Sequence, residues 1–364
     1  MKYPKVLLLG YNFASVMNSL AIGFEELGVP YKALSFDLYV SKINQYSHVE
    51  CVYPRTFSDK LRINWYRAKG LVKLVRYLAW CDVIHIFYDT AITGGRKELA
   101  LFRLFKKKKY INFIGSDVRN PNVSLAVNPY FADAFHDPGY EYKQESEEAS
   151  NKIQSDYANE GFEAIHWATD IYNNASIFKH YYNVPLAAVN HHSPKNREQA
   201  KDDVLIIHSP TAPVAKGTQH VMKAIETLRA RNITNFRFQL LKDISNDQYQ
   251  QLVADADILV DQMIWGGYGI ASVQALALGK VVVCYLLPQR VNEVYGKDCP
   301  VVNANIDDLA DVLEELIGNF EKRKEISKQS VEYYRRMHSP AEVARHLVAV
   351  YTGTIKPTIA TNVI

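Results

Sequence analysis

The chain of 364 residues is 48% hydrophobic and 22% charged, which is typical of a folded globular protein long enough for two domains. Its formal net charge of +3 is too small to indicate nucleic acid as a partner. The apolar run at residues 6–9 is too short for a signal-peptide core or a membrane span. The four cysteines form no CxxC pair. We therefore expect a cytoplasmic protein.

A strand, a turn and a helix open the chain. The apolar residues 6–9 predict a buried strand, residues 10–12 its turn, and residues 16–27 a helix that ends at Gly28. Further strand-like runs follow at 31–36, 82–88, 109–114 and 186–191. Because short apolar strands alternate with helices, this half of the chain predicts a parallel sheet covered on both faces.

The same alternation starts again after the polar stretch at 191–203. Strands are predicted at 203–209, 236–241, 257–262 and 281–286, and helices at 217–231, 246–256 and 270–279. The predicted fold class is α/β, with two tandem Rossmann-like, doubly wound parallel-sheet domains at 1–190 and 195–338 and a helix at about 339–354 returning to the first. Because ligands of such sheets bind at the carboxyl ends of the strands, the cleft between the domains is the expected substrate site.

Lys216 and Gly217 lie in a loop between a predicted strand and a predicted helix of the second domain. A lysine there can reach an anionic phosphate, while the N-terminus of the helix adds backbone N–H groups and a partial positive charge. The pair alone is weak evidence, because a solvated surface lysine is the usual alternative.

A glycine-rich loop two strands later makes a phosphate site the better interpretation. Gly266, Gly267 and Gly269 let the backbone approach a ligand closely, and the helix that begins at Ile270 directs its free N–H groups to the same point. The alternative is a tight strand-to-helix turn that needs glycine only for its backbone angles.

Two stretches carry a resemblance to a known family. "KGTQHVMKAIETL" at 216–228, followed by "ADILVDQMIWGGYGIASVQALALGKVVV" at 256–283, resembles the donor domain of GT-B glycosyltransferases, specifically the retaining family 4. Weaker matches at 7–28, 113–119 and 337–351 extend the resemblance over essentially the whole chain. The resemblance implies the GT-B fold and transfer of a sugar from a nucleotide diphosphate sugar to a glycan or lipid-linked glycan acceptor, in surface polysaccharide synthesis.

The chain departs from the family pattern at several positions. The family has a Glu before its Gly-aromatic-Gly turn and a second Glu eight positions later, where this chain has Gly266 and Gln274. Gln274 can still hydrogen-bond a ribose hydroxyl, whereas Gly266 offers only its backbone. The Arg that usually accompanies the Lys is missing, since residues 211–215 contain no cation, and Ile114 stands where the family often has a His.

The resemblance also implies the roles of individual residues. Lys216 and Asp117 are the candidate catalytic residues, and Lys216 stabilises the departing diphosphate while the donor's own phosphate receives the acceptor proton. The predicted acceptor residues are His85, Asp117 and Arg119, with a hydrogen-bonded core histidine as the alternative for His85. We expect no metal and no cofactor besides the substrate. The predicted donor-binding residues are Gly10, Asn12, Thr211, Lys216, Gly217, Lys242, Gly266, Gly267, Tyr268, Gly269, Ile270 and Gln274.

Two other functions stay open at this point. The chain could be a degenerate, non-catalytic GT-B homologue that acts as a subunit or glycan-binding module. It could also be an enzyme of the same architecture with different chemistry, such as nucleotide-sugar epimerisation. The changes at Gly266 and Gln274 favour the first of these two.

Two charged stretches of the first domain are also informative. Cations and apolar side chains interleave between residues 61 and 109, including a basic run at 106–109, which predicts a surface that rests on the inner face of an anionic membrane. Two ordinary helices with solvated lysines are the alternative. The acidic stretch at 137–163 predicts a polar helical excursion that borders an acceptor groove.

Overall fold

The computed structural model describes residues 2–37, 46–53, 62–90, 92, 96–167, 177–178, 180–193, 203–242, 244–288 and 294–359. The first sheet consists of parallel strands with one antiparallel strand at its edge. Its strands are β1 (Val6–Gly10), β2 (Tyr31–Ser35), β3 (Glu50–Cys51), β4 (Val83–Phe87), β5 (Lys108–Asn112), β6 (Glu163–His166), β7 (His180–Asn183) and β13 (Thr358–Ile359). They lie in the order β13-β7-β6-β5-β4-β1-β2-β3, with β13 antiparallel to β7.

The second sheet is entirely parallel. Its strands are β8 (Val204–His208), β9 (Phe236–Leu240), β10 (Ile258–Val260), β11 (Val281–Cys284) and β12 (Val302–Asn303). They lie in the order β12-β11-β10-β8-β9. The prediction of two tandem Rossmann-like α/β units is therefore confirmed, while the limits of the two domains stay a prediction.

Helices connect the strands of both sheets. Within the described ranges the α-helices are α1 (Val16–Leu27), α2 (Ile63–Trp80), α3 (Leu99–Leu104), α4 (Pro121–Val127), α5 (Phe131–Phe135), α6 (Glu147–Asn159), α7 (Thr218–Ala230), α8 (Asn246–Asp255), α9 (Ile270–Ala277), α10 (Leu309–Gly318), α11 (Phe320–Met337) and α12 (Pro340–Thr352). Of these described helices, none combines the length and the apolar character that crossing a bilayer would require.

β1 shows how the first sheet is covered on both faces. Leu7 and Leu9 pack into one core cluster, whereas Val6 and Leu8 pack into another, because successive side chains of a strand point to opposite faces. All four side chains are fully buried. A central strand of a doubly covered sheet is therefore continuously apolar, which is the pattern that the sequence shows.

The strand predicted at 186–191 is wrong. β7 lies earlier in the chain, at His180–Asn183, and residues 184–190 form an extended connector outside the sheet. After Val184, whose N–H donates to the carbonyl of His166 in β6 at 3.1 Å, its backbone bonds to side chains and to a helix end. The carbonyl of Ala188 accepts from the Tyr334 hydroxyl at 2.8 Å, and the Ala188 N–H donates to the carbonyl of His338 at 3.4 Å. Its apolar residues are thus buried under α11 and α12.

The helix α12 lies against the first sheet although it follows the second in the chain. Its residues Val343 and Leu347 belong to the same buried cluster as Met17 and Leu20 of α1. Pro340 stands in the first turn, where its missing N–H costs nothing. The chain therefore crosses between the two sheets twice, once through the connector at 184–190 and once before α12.

Candidate functional site

Two loops meet at the carboxyl edge of the second sheet. One runs from β8 to α7 and contains Lys216, and the other runs from β10 to α9 and contains the three glycines. Because β8 and β10 are neighbouring parallel strands, their following loops lie side by side. The Met263 N–H donates to the carbonyl of Lys216 at 3.0 Å. The structure thus brings together the two motifs that the sequence predicts to act together.

Asp261, the residue after β10, connects both loops. Its carboxylate lies 3.0 Å from Lys216 Nζ, and it accepts from the Ser272 hydroxyl at 2.6 Å and the Gly269 N–H at 3.4 Å. Only 2% of the Asp261 side chain and 12% of the Lys216 side chain are exposed. Burial by itself would raise the pKa of Asp261, but the charge of Lys216 and the hydrogen bond from Ser272 bring that pKa below its usual value. The carboxylate therefore stays charged beside Lys216.

Asp261 is a residue that the sequence analysis missed. A signal was present, because an acid ends the apolar run "DILVD" directly before the glycine loop. In a parallel sheet this position faces the edge where ligands bind. The carboxylate holds the Lys216 ammonium beside the N-terminus of α9, whose first-turn N–H groups have no partners inside the helix. An ammonium next to such a helix end can bind an anion.

The glycine loop is shaped around glycine at the position where the family has Glu. Gly266 has a φ of +76°, in the left-handed region, and a Cβ added there would lie 3.0 Å from Leu287 Cβ. Gly217 is similar, with a φ of +75° and an added Cβ only 3.0 Å from Ile264 Cγ1. A glutamate at 266 would therefore strain the backbone and crowd Leu287. The missing carboxylate thus goes together with a backbone conformation that favours glycine.

The structure corrects the role predicted for Tyr268. Its ring is buried in the core, where its hydroxyl lies 2.9 Å from His338 Nε2 and 3.0 Å from the Tyr333 hydroxyl. The ring therefore points away from the edge of the sheet. Gly267 also faces inward, because its carbonyl accepts a hydrogen bond from the Gln262 amide. At Gly269 of this glycine-aromatic-glycine turn, the position that a side chain would take is open space.

Gln274 lies on α9, one turn after the glycine loop, as predicted. Its side chain is buried, and its amide nitrogen is 3.4 Å from Oδ1 of Asn246, the first residue of α8. The carbonyl of Gln274 accepts from the Asn190 amide of the connector at 3.4 Å. Ile270, the first residue of α9, packs against core clusters of both sheets. The glycine loop and its helix thus touch the first domain directly.

The remaining predicted donor residues fall into two groups. Thr211 and Lys242 are exposed in the loops after β8 and β9, at the same edge as Lys216. Gly10 ends β1 in the first sheet. Asn12 is fully buried, with its Oδ1 accepting from the Asn18 N–H at 3.1 Å. The Asn12 side chain therefore orders the start of α1, which corrects its prediction as a donor contact.

The structure also corrects the prediction for His85. This residue is in the middle of β4, pairs with Leu8 and Tyr110 in the neighbouring strands, and is fully buried. Its Nδ1 lies 2.5 Å from the Tyr351 hydroxyl of α12. Burial lowers the pKa of His85 to about 3, so the ring is neutral at physiological pH. His85 is a core residue that binds the returning helix, and it is not an acceptor contact.

Asp117 and Arg119 follow β5 but differ in their surroundings. The Asp117 carboxylate accepts from the N–H groups of Gly115 at 2.8 Å and Ile114 at 3.2 Å. Burial raises the pKa of Asp117 to about 7 although these bonds and Arg119 oppose the rise. Asp117 thus holds its own turn, and its titration near neutral pH is compatible with the predicted catalytic role, which stays a prediction.

Arg119 is a contact between the domains and not the predicted acceptor residue. Its guanidinium bonds to the Glu145 carboxylate, and the exposed fractions of the two side chains are 2% and 0%. The same guanidinium lies over the ring of Trp265, 4.2 Å from the centroid. Because Trp265 directly precedes Gly266, Arg119 supports the glycine loop from the first domain.

Residues 128–145, which we call the bridging segment, dock on the second domain. The Glu141 carboxylate accepts from the N–H groups of Val214 at 2.9 Å and Ala215 at 3.0 Å, immediately before Lys216. The Asn128 amide donates to the carbonyl of Ile264 at 2.6 Å. A helix does follow this segment, α6, in the stretch predicted as a polar helical excursion. The bridging segment itself positions both loops of the candidate site.

No group of three or more His, Cys, Asp or Glu residues within the described ranges is arranged to hold a metal ion. The expectation that the protein needs no metal stays a prediction. The residues described above could instead hold an anion, through one ammonium and backbone N–H groups.

Comparison with solved structures assigns the class of fold. No protein-family model matches the chain, and no curated protein sequence matches it. Sucrose-phosphate synthase from Thermosynechococcus elongatus is similar to it with a TM-score of 0.63 and 12% identity, over 97% of this chain and 99% of that one. The chain has the GT-B fold, with two Rossmann-like units.

A second solved structure has the same fold. WaaG, a glycosyltransferase involved in lipopolysaccharide biosynthesis, is similar with a TM-score of 0.53 and 12% identity, over 96% of this chain and 99% of that one. At such low identity both comparisons concern the fold. What the site does must be argued from its own residues.

Proposed function

We propose that this protein is a glycosyltransferase that transfers a sugar from a nucleotide diphosphate sugar to a glycan or lipid-linked glycan acceptor. The observation that carries the proposal is the Lys216 ammonium fixed by Asp261 at the N-terminus of α9. Both proteins compared above are named for sugar-transferring activities, on the same fold. Retention of the anomeric configuration, membership of family 4 and a role in surface polysaccharide synthesis are parts of this proposal.

The residues at the site supply electrostatic stabilisation. When the bond between the sugar and the donor diphosphate breaks, its electron pair goes to the diphosphate, which gains negative charge. In this proposal, Lys216 and the first-turn N–H groups of α9 stabilise that charge. The acceptor oxygen forms the new bond to the sugar, and its proton passes to the donor's own phosphate. Asp261 takes no part in bond making and keeps Lys216 in position.

Asp261 also favours the second candidate, a non-catalytic homologue that binds a nucleotide or glycan. The carboxylate cancels the charge of Lys216 within 3.0 Å, so a dianionic ligand meets a locally neutral pair. Gly266 lacks the family's sugar-binding carboxylate, and a side chain at this left-handed position would strain the backbone. Donor recognition in this protein would therefore rest on backbone groups, Gln274 and Thr211.

Thermal unfolding with a panel of nucleotides tests the proposal. We expect one nucleoside diphosphate and its sugar conjugate to stabilise the protein, because a ligand that binds only the folded state adds about 2.7 kcal/mol at a concentration of 100 times its Kd. The matching nucleoside, without phosphates, should stabilise far less and serves as the control. Release of the nucleoside diphosphate from the preferred donor then separates an enzyme from a binding module. If no nucleotide or nucleotide sugar of the panel raises the Tm, a donor site at Lys216 is rejected.

We further propose peripheral contact with an anionic membrane, through α2. In the basic run at 106–109, Lys108 Nζ donates to the carbonyl of Tyr351 at 2.6 Å and Lys109 Nζ to that of Glu160, so we assign the contact to α2 in this proposal. On α2, Trp65 and Val72 are 53% and 57% exposed, and the Lys69 ammonium lies 3.8 Å from the centroid of the Trp65 ring. Exposed apolar side chains beside cations are what an anionic bilayer surface binds.

Co-sedimentation with vesicles tests this contact. We expect the protein to bind vesicles with 30% phosphatidylserine, and to lose binding in high salt. Lys69→Gln should weaken binding about five-fold, the effect of one cation near the surface, and Trp65→Ser should weaken it as well. Lys324→Gln, an exposed lysine of α11, is the matched control. Equal binding to neutral vesicles, or no binding to either kind, would rule out an electrostatic membrane contact.

A further inference from the structure

Three aromatic rings gather where β1 and β4 end in the first sheet. Tyr88 follows β4, and its ring is 5.4 Å from Tyr11 in an edge-on contact and 6.4 Å from Phe13 in a nearly parallel one, between ring centroids. Because β1 and β4 are parallel neighbours, both turns lie at the same carboxyl edge. Phe13 is 54% exposed, so a large apolar ring faces solvent at the edge where ligands of this fold bind.

The backbone at this point is strained. Five non-glycine residues with positive φ occur within the described ranges, and three of them are Ala14 (46°), Ser15 (64°) and Tyr88 (64°). Such conformations cost free energy and persist where the surrounding structure enforces them, often at ligand sites. The strained positions lie directly beside the two parallel rings. The backbone conformation that holds Phe13 and Tyr88 in this arrangement therefore lowers the stability of the fold.

Carboxylates border the rings. Asp89 follows Tyr88, and its carboxylate accepts from the Tyr157 hydroxyl at 2.8 Å and pairs with Arg96 at 2.9 Å. Asp117, after β5, lies close enough that its charge adds to burial in raising the pKa of Tyr88. An apolar ring face next to fixed carboxylates suits a ligand with an apolar face and a rim of hydroxyl groups.

The edge of the sheet that carries these rings is connected to the glycine loop through Arg119, because β5 neighbours β4 and Arg119 follows β5. Arg119 lies two residues after Asp117, and it stacks on Trp265, the residue before Gly266. Because ligands of such sheets bind at the carboxyl ends of the strands, we expect a ligand on the Phe13 ring to lie on the side of the first sheet and a donor at the Lys216 loop to lie on the side of the second. This is the geometry that an acceptor needs if the donor is bound by the second domain.

We propose that Phe13 and Tyr88 bind the pyranose ring of a glycan acceptor, the ring of Phe13 against the apolar face of the sugar and the nearby carboxylates accepting from its hydroxyls. This inference rests on the proposed function, because it names the acceptor class of the same cleft. It replaces His85 and Arg119, the buried residues predicted from the sequence, with an exposed aromatic surface.

Saturation-transfer NMR with a set of methyl pyranosides tests the proposal. The probes are the α- and β-methyl glycosides of glucose, galactose, mannose and N-acetylglucosamine, with uridine and adenosine to detect stacking of a base instead. At least one glycoside should bind the parent protein. Phe13→Ala should weaken it about five-fold, the worth of a ring contact, and Phe13→Tyr should restore it. Tyr3→Ala, which removes another exposed aromatic ring (40% exposed) before β1, is the matched control.

The outcomes separate this inference from the proposed function. Phe13 is exposed, so Phe13→Ala should melt at the parent's temperature and keep any stabilisation by nucleotides. Glycoside binding that is absent in the parent, or unchanged in Phe13→Ala, overturns the inference, as does a preference of the Phe13 surface for nucleosides. Glycoside binding through Phe13 without nucleotide binding would leave a pyranose site at these rings and reject both the transferase and the acceptor role of that site.

Discussion

Lys216→Met is expected to lower the free energy of unfolding by about 3–5 kcal/mol, the cost of leaving a buried carboxylate without its partner. The Asp261 side chain is only 2% exposed, and the 3.0 Å contact with Lys216 compensates its charge. Binding of the preferred nucleoside diphosphate should also weaken by about 1.5–3 kcal/mol, because a charge-assisted contact is lost. Urea unfolding and nucleotide titration measure the two effects separately.

A double variant distinguishes the two roles of Lys216. Lys216→Met combined with Asp261→Leu removes both charges and should recover most of the lost stability, while nucleotide binding should stay weak. Asp261→Asn keeps the shape and leaves Lys216 its full charge, so nucleotide binding should persist or strengthen. If Lys216→Met unfolds at the same urea concentration as the parent, the ion pair does not hold these two loops together.

The second large effect is expected at the domain interface. Arg119→Met should cost about 3–5 kcal/mol of stability, because Glu145, whose side chain is fully buried, would lose its counter-charge. Trp265 would also lose the guanidinium that stacks on its ring. Arg119→Lys keeps the charge but not the planar stacking, so its stability should fall between those of the parent and Arg119→Met.

An exposed pair of the same chemistry is the matched control. Arg103 bonds to Glu160 on the surface, with 70% of the arginine side chain exposed, and Arg103→Met should leave the Tm essentially unchanged. Because the chain has four tryptophans, the fluorescence difference between each variant and the same variant with Trp265→Phe reports the environment of Trp265. Equal Tm losses for Arg119→Met and Arg103→Met would contradict the view that burial makes the Arg119 pair important.

The positions of the two site loops could be predicted because they follow from local patterns. Apolar runs identify β8 and β10, and the rule that ligands bind at the carboxyl ends of parallel strands places Lys216 beside the glycine loop. The sequence did not correctly predict the direction in which individual side chains point. Tyr268 and His85 are polar at one end, which the sequence cannot distinguish from ligand contacts, and both hydrogen-bond inside the core instead.

Local sequence patterns also could not predict the contacts between distant parts of the chain. Glu141 binds the N–H groups of Val214 and Ala215, more than seventy positions later. Its immediate neighbours are Tyr140 and Tyr142, and the mixture of aromatic and acidic residues in the bridging segment has no periodicity that would indicate a partner for Glu141. The strand prediction for the connector at 184–190 was wrong for the opposite reason. Its apolar residues are buried like those of a strand, but they are covered by α11 and α12 and not by sheet neighbours.

The return of α12 to α1 has a consequence for the order of events during synthesis. Chains leave the ribosome from the N-terminus, and domains usually complete their folding in that order. Here Leu347 and Tyr351 complete the core that β1 and α1 begin, so the first sheet keeps an uncovered apolar face until α12 has been made. By then β8 to β12 and α11 have already been synthesised and can pack against one another. The half of this protein that is made first is therefore the half that finishes folding last.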